Sequence, residues 1–106
     1  MYAVVQRVGR TVLKVDGNLI SEISSGLTVY LGIKEGDSEE KCEVLANKLS
    51  RLRIFEDAQG KMNLSVKDVG GEILLVSQFT LCADCTRGNR PNFSGAERPE
   101  RAEMLY

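Results

Sequence analysis

The chain has 106 residues, of which 42% are hydrophobic and 27% charged, and its formal net charge is −1. This length predicts a single domain over residues 1–106 with a real hydrophobic core. The near-neutral charge argues against an overall positive field for long nucleic-acid duplexes, and the absence of histidine excludes Ser-His-Asp and Cys-His catalysis.

The first third of the chain predicts β-strands joined by tight turns. Val4–Val8 and Thr11–Val15 are rich in residues that favour strands, and Leu19–Ile23 predicts a third strand. Asp16-Gly17-Asn18 is typical of a hairpin turn, because glycine accepts the positive φ that such turns need. Leu27–Ile33 is almost wholly apolar, which predicts a strand at the centre of a sheet.

One main helix is predicted next, from about Ser38 to Leu52. An Asp or Ser N-cap and two glutamates open it, and basic residues crowd its C-terminal end, as the helix dipole favours. Leu45, Leu49 and Leu52 recur on one face. We expect this apolar stripe to pack on the sheet.

The second half of the chain predicts a strand, a loop and a second helix. Asn63–Val69 is interpreted as a short strand or an extended segment, and Glu72–Phe79 as the clearest buried strand in the chain. Leu81–Ser94 lacks periodicity and should be a loop. A second helix begins near Pro99, since proline is favoured in the first turn.

The order of these elements indicates an α+β fold. We expect a mixed, strongly curved, barrel-like β-sheet, with the main helix packed on one face and the second helix near the C-terminus. No repeat or linker divides the chain.

The start of the chain and its cysteines indicate the cellular compartment. Arg7 interrupts the first apolar run too early for a secretory signal, and no apolar stretch is long enough to span a membrane. Cys42, Cys82 and Cys85 are an odd number without the spacing of a disulfide framework. We therefore expect a cytoplasmic protein with no membrane association.

Cys82-Ala83-Asp84-Cys85 has a spacing compatible with half of a zinc site or with a redox pair. A structural zinc site needs four ligands, and Cys42 is the one remaining thiol. The motif also lies in a predicted loop, whereas a thioredoxin-like motif opens a helix. Incidental thiols are the better interpretation, with a thiol redox protein as the alternative.

Ser77-Gln78-Phe79-Thr80 ends the most hydrophobic strand in polar side chains. The simplest interpretation is a strand end whose hydroxyls cap the following loop. The functional interpretation is that a rigid sheet holds side chains and backbone N–H groups at an accurate position. Without histidine, such a site must act by positioning and by an oxyanion-type hole. That suffices for a labile ester beside its own hydroxyl, such as the aminoacyl ester at the 3′ end of tRNA.

A basic loop without a carboxylate, Gly88–Phe93, follows this motif. It is either a solvated surface or a phosphate-binding segment that uses guanidinium groups and free backbone N–H groups.

Six strings occur in order along the chain: AVVQRV at 3–8, LRIFED at 52–57, GKMNLSV at 60–66, LVSQFTL at 75–81, RPNF at 90–93 and AEMLY at 102–106. Together they resemble the bacterial D-aminoacyl-tRNA deacylases, the D-Tyr-tRNA deacylase family. The resemblance implies hydrolysis of D-amino acids, and of glycine, mischarged on tRNA, as a chiral proofreading step in translation. It also implies a homodimer with active sites at the interface, no metal and no organic cofactor.

The resemblance also implies the site residues. The catalytic set is Ser77, Gln78, Phe79 and Thr80, and the substrate-binding set is Arg7, Arg90, Pro91 and Phe93. We hypothesise that the N–H groups of Phe79 and Thr80 polarise the ester carbonyl, while Ser77 and Gln78 hold the aminoacyl group. The ribose 2′-hydroxyl would help to activate water, and Thr80 would position the substrate rather than attack it.

One departure from the family concerns the end of the chain. Family members continue into strands with an Asn-x-Gly-Pro-x-Thr motif, whose cis Gly-Pro peptide enters the partner's pocket near Arg7 and excludes L-amino acids. This sequence contains no Gly-Pro dipeptide. Either the C-terminal segment is missing, which we favour because the sequence stops inside a predicted helix, or the chiral filter is lost. A non-catalytic RNA 3′-end binding module is the alternative function.

Overall fold

The computed structural model describes residues 1–106 and contains seven strands, two α-helices and one short 3-10 helix. The strands are β1 (Tyr2–Val8), β2 (Thr11–Val15), β3 (Asn18–Ile23), β4 (Gly26–Gly32), β5 (Phe55–Glu56), β6 (Met62–Leu64) and β7 (Glu72–Ser77). The helices are α1 (Glu39–Arg51), the 3-10 helix (Phe79–Cys82) and α2 (Pro99–Leu105). Neither α-helix has the length and apolar character needed to cross a membrane.

The main sheet has three strands in the order β1-β4-β7. β4 pairs antiparallel with β1 and parallel with β7. All residues of β4 except Tyr30 are buried, so its predicted central place is confirmed. Because β4 and β7 are parallel, both strands end at the same end of the sheet.

The remaining strands form two separate pairs, β2–β3 and β5–β6. The predicted hairpin turn between β2 and β3 is confirmed, with positive φ values of 51° at Asp16 and 78° at Gly17. The mixed α+β class is also confirmed. Closure into one barrel-like sheet is not seen, because each hairpin pairs only within itself.

The core lies between α1 and one face of the main sheet. Leu27 and Val29 of β4 are fully buried, and they pack with Leu49 of α1 and with Val66. Leu45 and Leu52 border this cluster, so the predicted stripe of the helix does pack on the sheet. Each such side chain contributes roughly 1.5–3 kcal/mol when fully buried, which fixes α1 against the sheet.

The predicted helix boundaries differ from the observed ones only by the caps. Ser38 and Leu52 are the N-cap and C-cap of α1 rather than helical residues. The Ser38 side chain makes no capping hydrogen bond. The carboxylate of Asp37 accepts a hydrogen bond from the N–H of Lys34, a residue that precedes the helix, at 2.8 Å.

Two predictions for the second half of the chain are wrong in detail. β7 ends at Ser77 rather than Phe79, and Ile73 is 39% exposed, because β7 lies at the edge of the sheet and only Leu74 is buried. In the predicted segment Asn63–Val69, only the first two residues belong to a strand, and a turn follows.

The 3-10 helix packs directly on the end of β4. A side chain at Gly32 would place its Cβ 3.0 Å from the Cβ of Leu81 and 3.1 Å from the Sγ of Cys82. Glycine therefore allows the 3-10 helix to approach the strand closely. The first part of the predicted loop, Leu81 and Cys82, belongs to this helix, and the rest contains no helix or strand up to Ser94.

Cys82 and Cys85 lie in different environments. Cys82 is buried, and its Sγ donates a weak hydrogen bond to the carbonyl oxygen of Ile33 at 3.4 Å. Burial raises the pKa of the Cys82 thiol, which disfavours the reactive thiolate. Cys85 is exposed, and both thiols are free. A packing role for Cys82 favours the interpretation of incidental thiols over a redox pair.

The polar centre of the fold is the buried carboxylate of Asp37. Its side chain is 2% exposed, and it binds the α-ammonium of Met1 at 2.7 Å and the Nζ of Lys41 at 3.2 Å. Arg101 of α2 donates to its backbone carbonyl at 2.9 Å. Burial alone would raise the pKa of Asp37, but hydrogen bonds from the α-ammonium and from the N–H of Lys34 lower the pKa below its usual 3.8 on balance.

We expect Cys85 to react with iodoacetamide well before Cys82 does, because Cys82 is buried and its pKa is raised. Peptide mass spectrometry over a time course measures both rates in the native chain, and urea should remove the difference. Equal rates in the folded protein would contradict this environment for Cys82.

We expect Asp37→Asn to lower the free energy of unfolding by about 3 kcal/mol near neutral pH, since it leaves the buried α-ammonium of Met1 without a counter-charge. A lowered folded-state pKa stabilises the fold above the unfolded value and loses this effect as the pH falls. The difference between the two proteins should therefore shrink below pH 3.8. Urea unfolding at several pH values measures it.

Asp16→Asn is the control for this experiment, because Asp16 lies in an exposed turn and makes no ion pair. A pH-independent difference for Asp37→Asn would show that the Asp37 charge does not stabilise the fold.

Candidate active site at the end of strand β7

The polar motif Ser77–Thr80 lies at the end of β7, where the strand turns into the 3-10 helix. Ser77 is the last strand residue, opposite Leu31 of β4. The N–H of Gln78 donates to the carbonyl oxygen of Leu31 at 2.8 Å, and the carbonyl oxygen of Gln78 accepts from the N–H of Leu81 at 3.3 Å. Every residue of the motif is exposed. The sheet therefore fixes the backbone of the motif while its side chains remain accessible.

Two backbone N–H groups at this strand end lack an acceptor in the local structure. Phe79 and Thr80 are the first two residues of the 3-10 helix, and the first N–H groups of a helix have no acceptor within it. The neighbouring N–H of Gln78 is used in the sheet. The N–H groups of Phe79 and Thr80 are therefore available to a bound acceptor such as a carbonyl oxygen.

The basic loop is held beside the motif by an aromatic contact. The rings of Phe93 and Phe79 meet edge to face, with centroids 5.4 Å apart and planes at 61°. Asp84 and Asn92 close the loop through two backbone hydrogen bonds of 2.8 and 2.9 Å. Such aromatic pairs contribute about 0.5–1.5 kcal/mol beyond burial. The structure thus brings Phe93 and the motif together.

The other predicted substrate-binding residues lie at different distances from the motif. Arg90 and Pro91 are exposed in the loop that Phe93 anchors. Arg7 pairs with Leu27 in a row that continues to Ile73, four residues before Ser77. At about 3.3 Å per residue, this row lies roughly 13 Å along the strand from Ser77. Within one chain, the structure therefore does not bring Arg7 to the motif.

A groove of about 490 Å³ runs between the end of β7 and α2. It is lined by Ser77, Phe79, Glu97, Pro99, Ala102, Glu103 and Tyr106. The hydroxyl of Tyr106 donates to the carbonyl oxygen of Leu75 at 2.7 Å, which ties the end of α2 to β7. The groove opens beside the motif, so it can hold part of a ligand bound there.

The two carboxylates of this groove differ in their bonding. Glu97 accepts hydrogen bonds from the N–H groups of Arg98 and Gly36 at 2.9 and 3.2 Å, and Arg101 lies 3.4 Å away. The hydrogen bond from the N–H of Arg98, followed by these other contacts, holds the pKa of Glu97 below its usual value. An ionised and bonded Glu97 is a structural group rather than a general acid. Glu103 is exposed and makes no ion pair.

Sequence reasoning missed the α2 side of this groove. Glu103 and Tyr106 are three residues apart, a spacing that places them on the same helix face. The sequence alone does not show that this face meets Ser77, because that contact depends on where α2 crosses the sheet.

The arrangement can bind and polarise a carbonyl compound. It offers two backbone N–H donors, the hydroxyls of Ser77 and Thr80, and the side-chain amide of Gln78. These three side chains make no hydrogen bond to another group of the protein. Nowhere in the chain do three or more Cys, Asp or Glu side chains converge as they would around a metal ion. The donors present suit electrostatic stabilisation of a developing oxyanion.

Comparison with known proteins gives a family for this chain. Residues 4–106 match the family model described as D-Tyr-tRNA(Tyr) deacylase. The D-aminoacyl-tRNA deacylase of Natranaerobius thermophilus is 55% identical over all 106 residues, which span 71% of that relative. The D-aminoacyl-tRNA deacylase of Dictyoglomus turgidum is 57% identical over the same residues, which span 68% of it.

Solved structures share the fold. A c-Myc DNA unwinding element binding protein superposes with a TM-score of 0.91 and 46% identity, over 98% of this chain and 70% of the other. A probable eukaryotic D-amino acid tRNA deacylase superposes with a TM-score of 0.73 at 19% identity, over 98% of this chain and 61% of the other. With a family model that matches almost the whole chain and relatives more than half identical to it, this chain belongs to the D-Tyr-tRNA(Tyr) deacylase family.

Proposed function

We propose that this chain hydrolyses the ester bond of D-aminoacyl-tRNA, and of glycine mischarged on tRNA, as a chiral proofreading step in translation. The products are the free amino acid and tRNA. Membership of the deacylase family supports the reaction. The observation that carries the location of the site is the pair of available N–H groups at Phe79 and Thr80, beside exposed polar side chains.

The reaction needs a polarised carbonyl and a water molecule. We place the ester carbonyl oxygen on the N–H groups of Phe79 and Thr80, where negative charge develops as water attacks the carbonyl carbon. The ester C–O bond then breaks, and the proton lost by water reaches the departing 3′-oxygen of the ribose. The neighbouring 2′-hydroxyl orients the water. It thereby takes the role of the imidazole that the chain lacks.

The side chains of the motif hold the substrate in this proposal. Ser77 and Gln78 bind the aminoacyl group from the strand end, where pairing with β4 fixes their backbone. Thr80 positions the ester and does not form a covalent intermediate. The Phe93 ring, already against Phe79, and the adjacent Arg90 and Pro91 bind the end of the tRNA. Positioning of this kind is worth several kcal/mol of the barrier, up to about 7–11.

We propose that the active form is a homodimer. Val4, Tyr30 and Val76 form one cross-strand row on the sheet face opposite α1, and Val4 is 44% exposed while the other two are only partly covered. Tyr2, 48% exposed, extends this row on β1. This apolar row adjoins the motif, since Val76 precedes Ser77. A second copy on this face would bury it and complete a more strongly curved, barrel-like sheet.

We further propose that the reaction proceeds in the cytoplasm without metal or organic cofactor. The ester is intrinsically labile, and the donors at the strand end supply the stabilisation that a metal would otherwise give. Free thiols at Cys42, Cys82 and Cys85 suit a reducing compartment. Activity that survives dialysis against EDTA would support this view, and activity restored only by added metal would refute it.

The first test compares Phe79→Pro with Phe79→Ala on D-Tyr-tRNA. Both variants lose the ring, but only proline removes the N–H, and proline is tolerated at the first position of a helix. We expect kcat to be about 100-fold lower for Phe79→Pro than for Phe79→Ala, the usual cost of one oxyanion donor. Thr80→Val should keep measurable turnover, because its N–H remains.

Several outcomes would refute these roles. Equal kcat values for the two Phe79 variants would remove the N–H from the mechanism, and a trapped acyl–Thr80 adduct would make Thr80 the nucleophile. Binding of tRNA without turnover in the wild type would favour the non-catalytic RNA-end module. L-Tyr-tRNA and Gly-tRNA are assayed in parallel, and cleavage of L-Tyr-tRNA at the same rate would show that this chain lacks a chiral filter.

The second test concerns the dimer. We expect sedimentation equilibrium to give twice the 11.7 kDa chain mass, and Val4→Lys to shift it to the monomer, because the charge would enter a buried apolar face. Val15→Lys is the control, since Val15 is 53% exposed in the β2–β3 hairpin. A monomeric wild type, or a Val4→Lys variant that remains dimeric, would refute this interface.

A further inference from the structure

An exposed cationic stripe runs along α1, beside the face of the helix that packs on the core. Lys41, Val44, Lys48 and Arg51 are spaced by three and four residues, so they follow one face of the helix. All four are exposed, and Val44 is 65% exposed although it is apolar. The core contacts of α1 come from a neighbouring face, through Leu45 and Leu49. Packing in the fold therefore does not explain this stripe.

Two surface grooves flank the stripe and join along it. One, of about 600 Å³, includes Met1, Lys41, Val44 and Lys48, and the other, of about 470 Å³, includes Val44, Lys48, Arg51 and Arg53. Because both include Val44 and Lys48, they form one continuous depression, which we call the α1 groove.

The charges of the α1 groove are mainly positive and largely uncompensated. Lys48, Arg51 and Arg53 form no ion pair, while Lys41 pairs with Asp37 at 3.2 Å. Arg53 donates to the carbonyl oxygen of Asn63 at 3.0 Å, and the Asp68 carboxylate lies close enough to interact with its charge. Glu40 is the one carboxylate that lines the groove. In a chain with a net charge of −1, this concentration of positive charge is a local feature.

One end of the α1 groove lies nearer to the end of β7 than the other. α1 follows β4 after a short connection, and β4 and β7 end at the same end of the sheet. Lys41 is therefore at the end nearer to Ser77, and Arg51 is at the far end. Lys41 and Arg51 are ten positions apart, which corresponds to about 15 Å of helix axis, and this length is enough to contact several successive phosphates of one strand.

We propose that the α1 groove binds backbone phosphates of the tRNA acceptor stem, while the 3′ end of the tRNA reaches the motif at the end of β7. This inference rests on the proposed deacylase function for the identity of the RNA. Lys48 and Arg51 contact phosphates and carry no sequence information. Protein recognition of duplex RNA depends chiefly on shape, phosphates and 2′-hydroxyls, which suits an enzyme that must accept tRNAs of different sequence.

The test compares Lys48→Gln/Arg51→Gln with Lys14→Gln/Lys67→Gln, a control that removes two exposed cations from other surfaces. Each variant is assayed on D-Tyr-tRNA and on 3′-O-(D-tyrosyl)adenosine, an ester with no stem, over a series of salt concentrations. We expect the groove variant to raise the KM for D-Tyr-tRNA about tenfold with kcat unchanged. The slope of log KM against log salt should fall by about one for each phosphate contact removed.

Hydrolysis of the adenosine ester should be unchanged in both variants, since it has no phosphate to bind. An unchanged KM and salt slope for D-Tyr-tRNA in the groove variant would overturn the proposal, as would an equal loss on the adenosine ester. Filter binding of uncharged tRNA over the same salt series tests the groove without any turnover. If the wild type cleaves neither ester, the proposed function fails, and the difference in tRNA binding between the two variants still decides the groove.

Discussion

The parallel pairing of β7 with β4 is the interaction on which the candidate site depends. Gly26 begins β4 with a φ of 143°, and a Cβ there would lie 1.9 Å from the carbonyl oxygen of Glu72. Glycine at this position lets β7 approach β4 closely where their pairing begins. The last hydrogen bond of this pairing runs from the N–H of Gln78 to the carbonyl oxygen of Leu31. A one-residue slip of this register would move Ser77 to the other face of the sheet, because strand side chains alternate.

This constraint explains how a chain without histidine could hold the proposed hydrolytic site. The proposed donors are main-chain N–H groups, whose direction is set by the backbone and not by side-chain rotamers. They lie where the strand ends and the 3-10 helix begins, and the contact of that helix with Gly32 leaves little freedom. Preorganised donors of this kind need no reorganisation when charge develops on the substrate.

Two further contacts stabilise the region around the end of β7. The carboxylate of Asp37 binds the Met1 α-ammonium and Lys41 of α1, and its backbone carbonyl accepts a hydrogen bond from Arg101 of α2. The elements around the strand end are therefore held to one another. The contact between Phe93 and Phe79 holds an otherwise irregular loop beside the motif. The α1 groove begins at this end as well. A substrate that spans the groove and the strand end would make contacts with both the stem and the terminus of the RNA.

The sequence by itself determined the α+β class, the central place of β4, the β2–β3 turn, the apolar stripe of α1 and the family. These features depend on local periodicity, on turn chemistry and on ordered motifs, all of which are written in short stretches of residues. Only the tertiary structure decided that β7 is an edge strand ending at Ser77 and that the strands do not close into a barrel. It also decided that Arg7 lies far from the motif within one chain. It also placed Phe93 on Phe79 and brought Glu103 and Tyr106 to Ser77. Each of these depends on which strands pair and where the helices cross the sheet, and such long-range choices leave no periodic signal in the sequence.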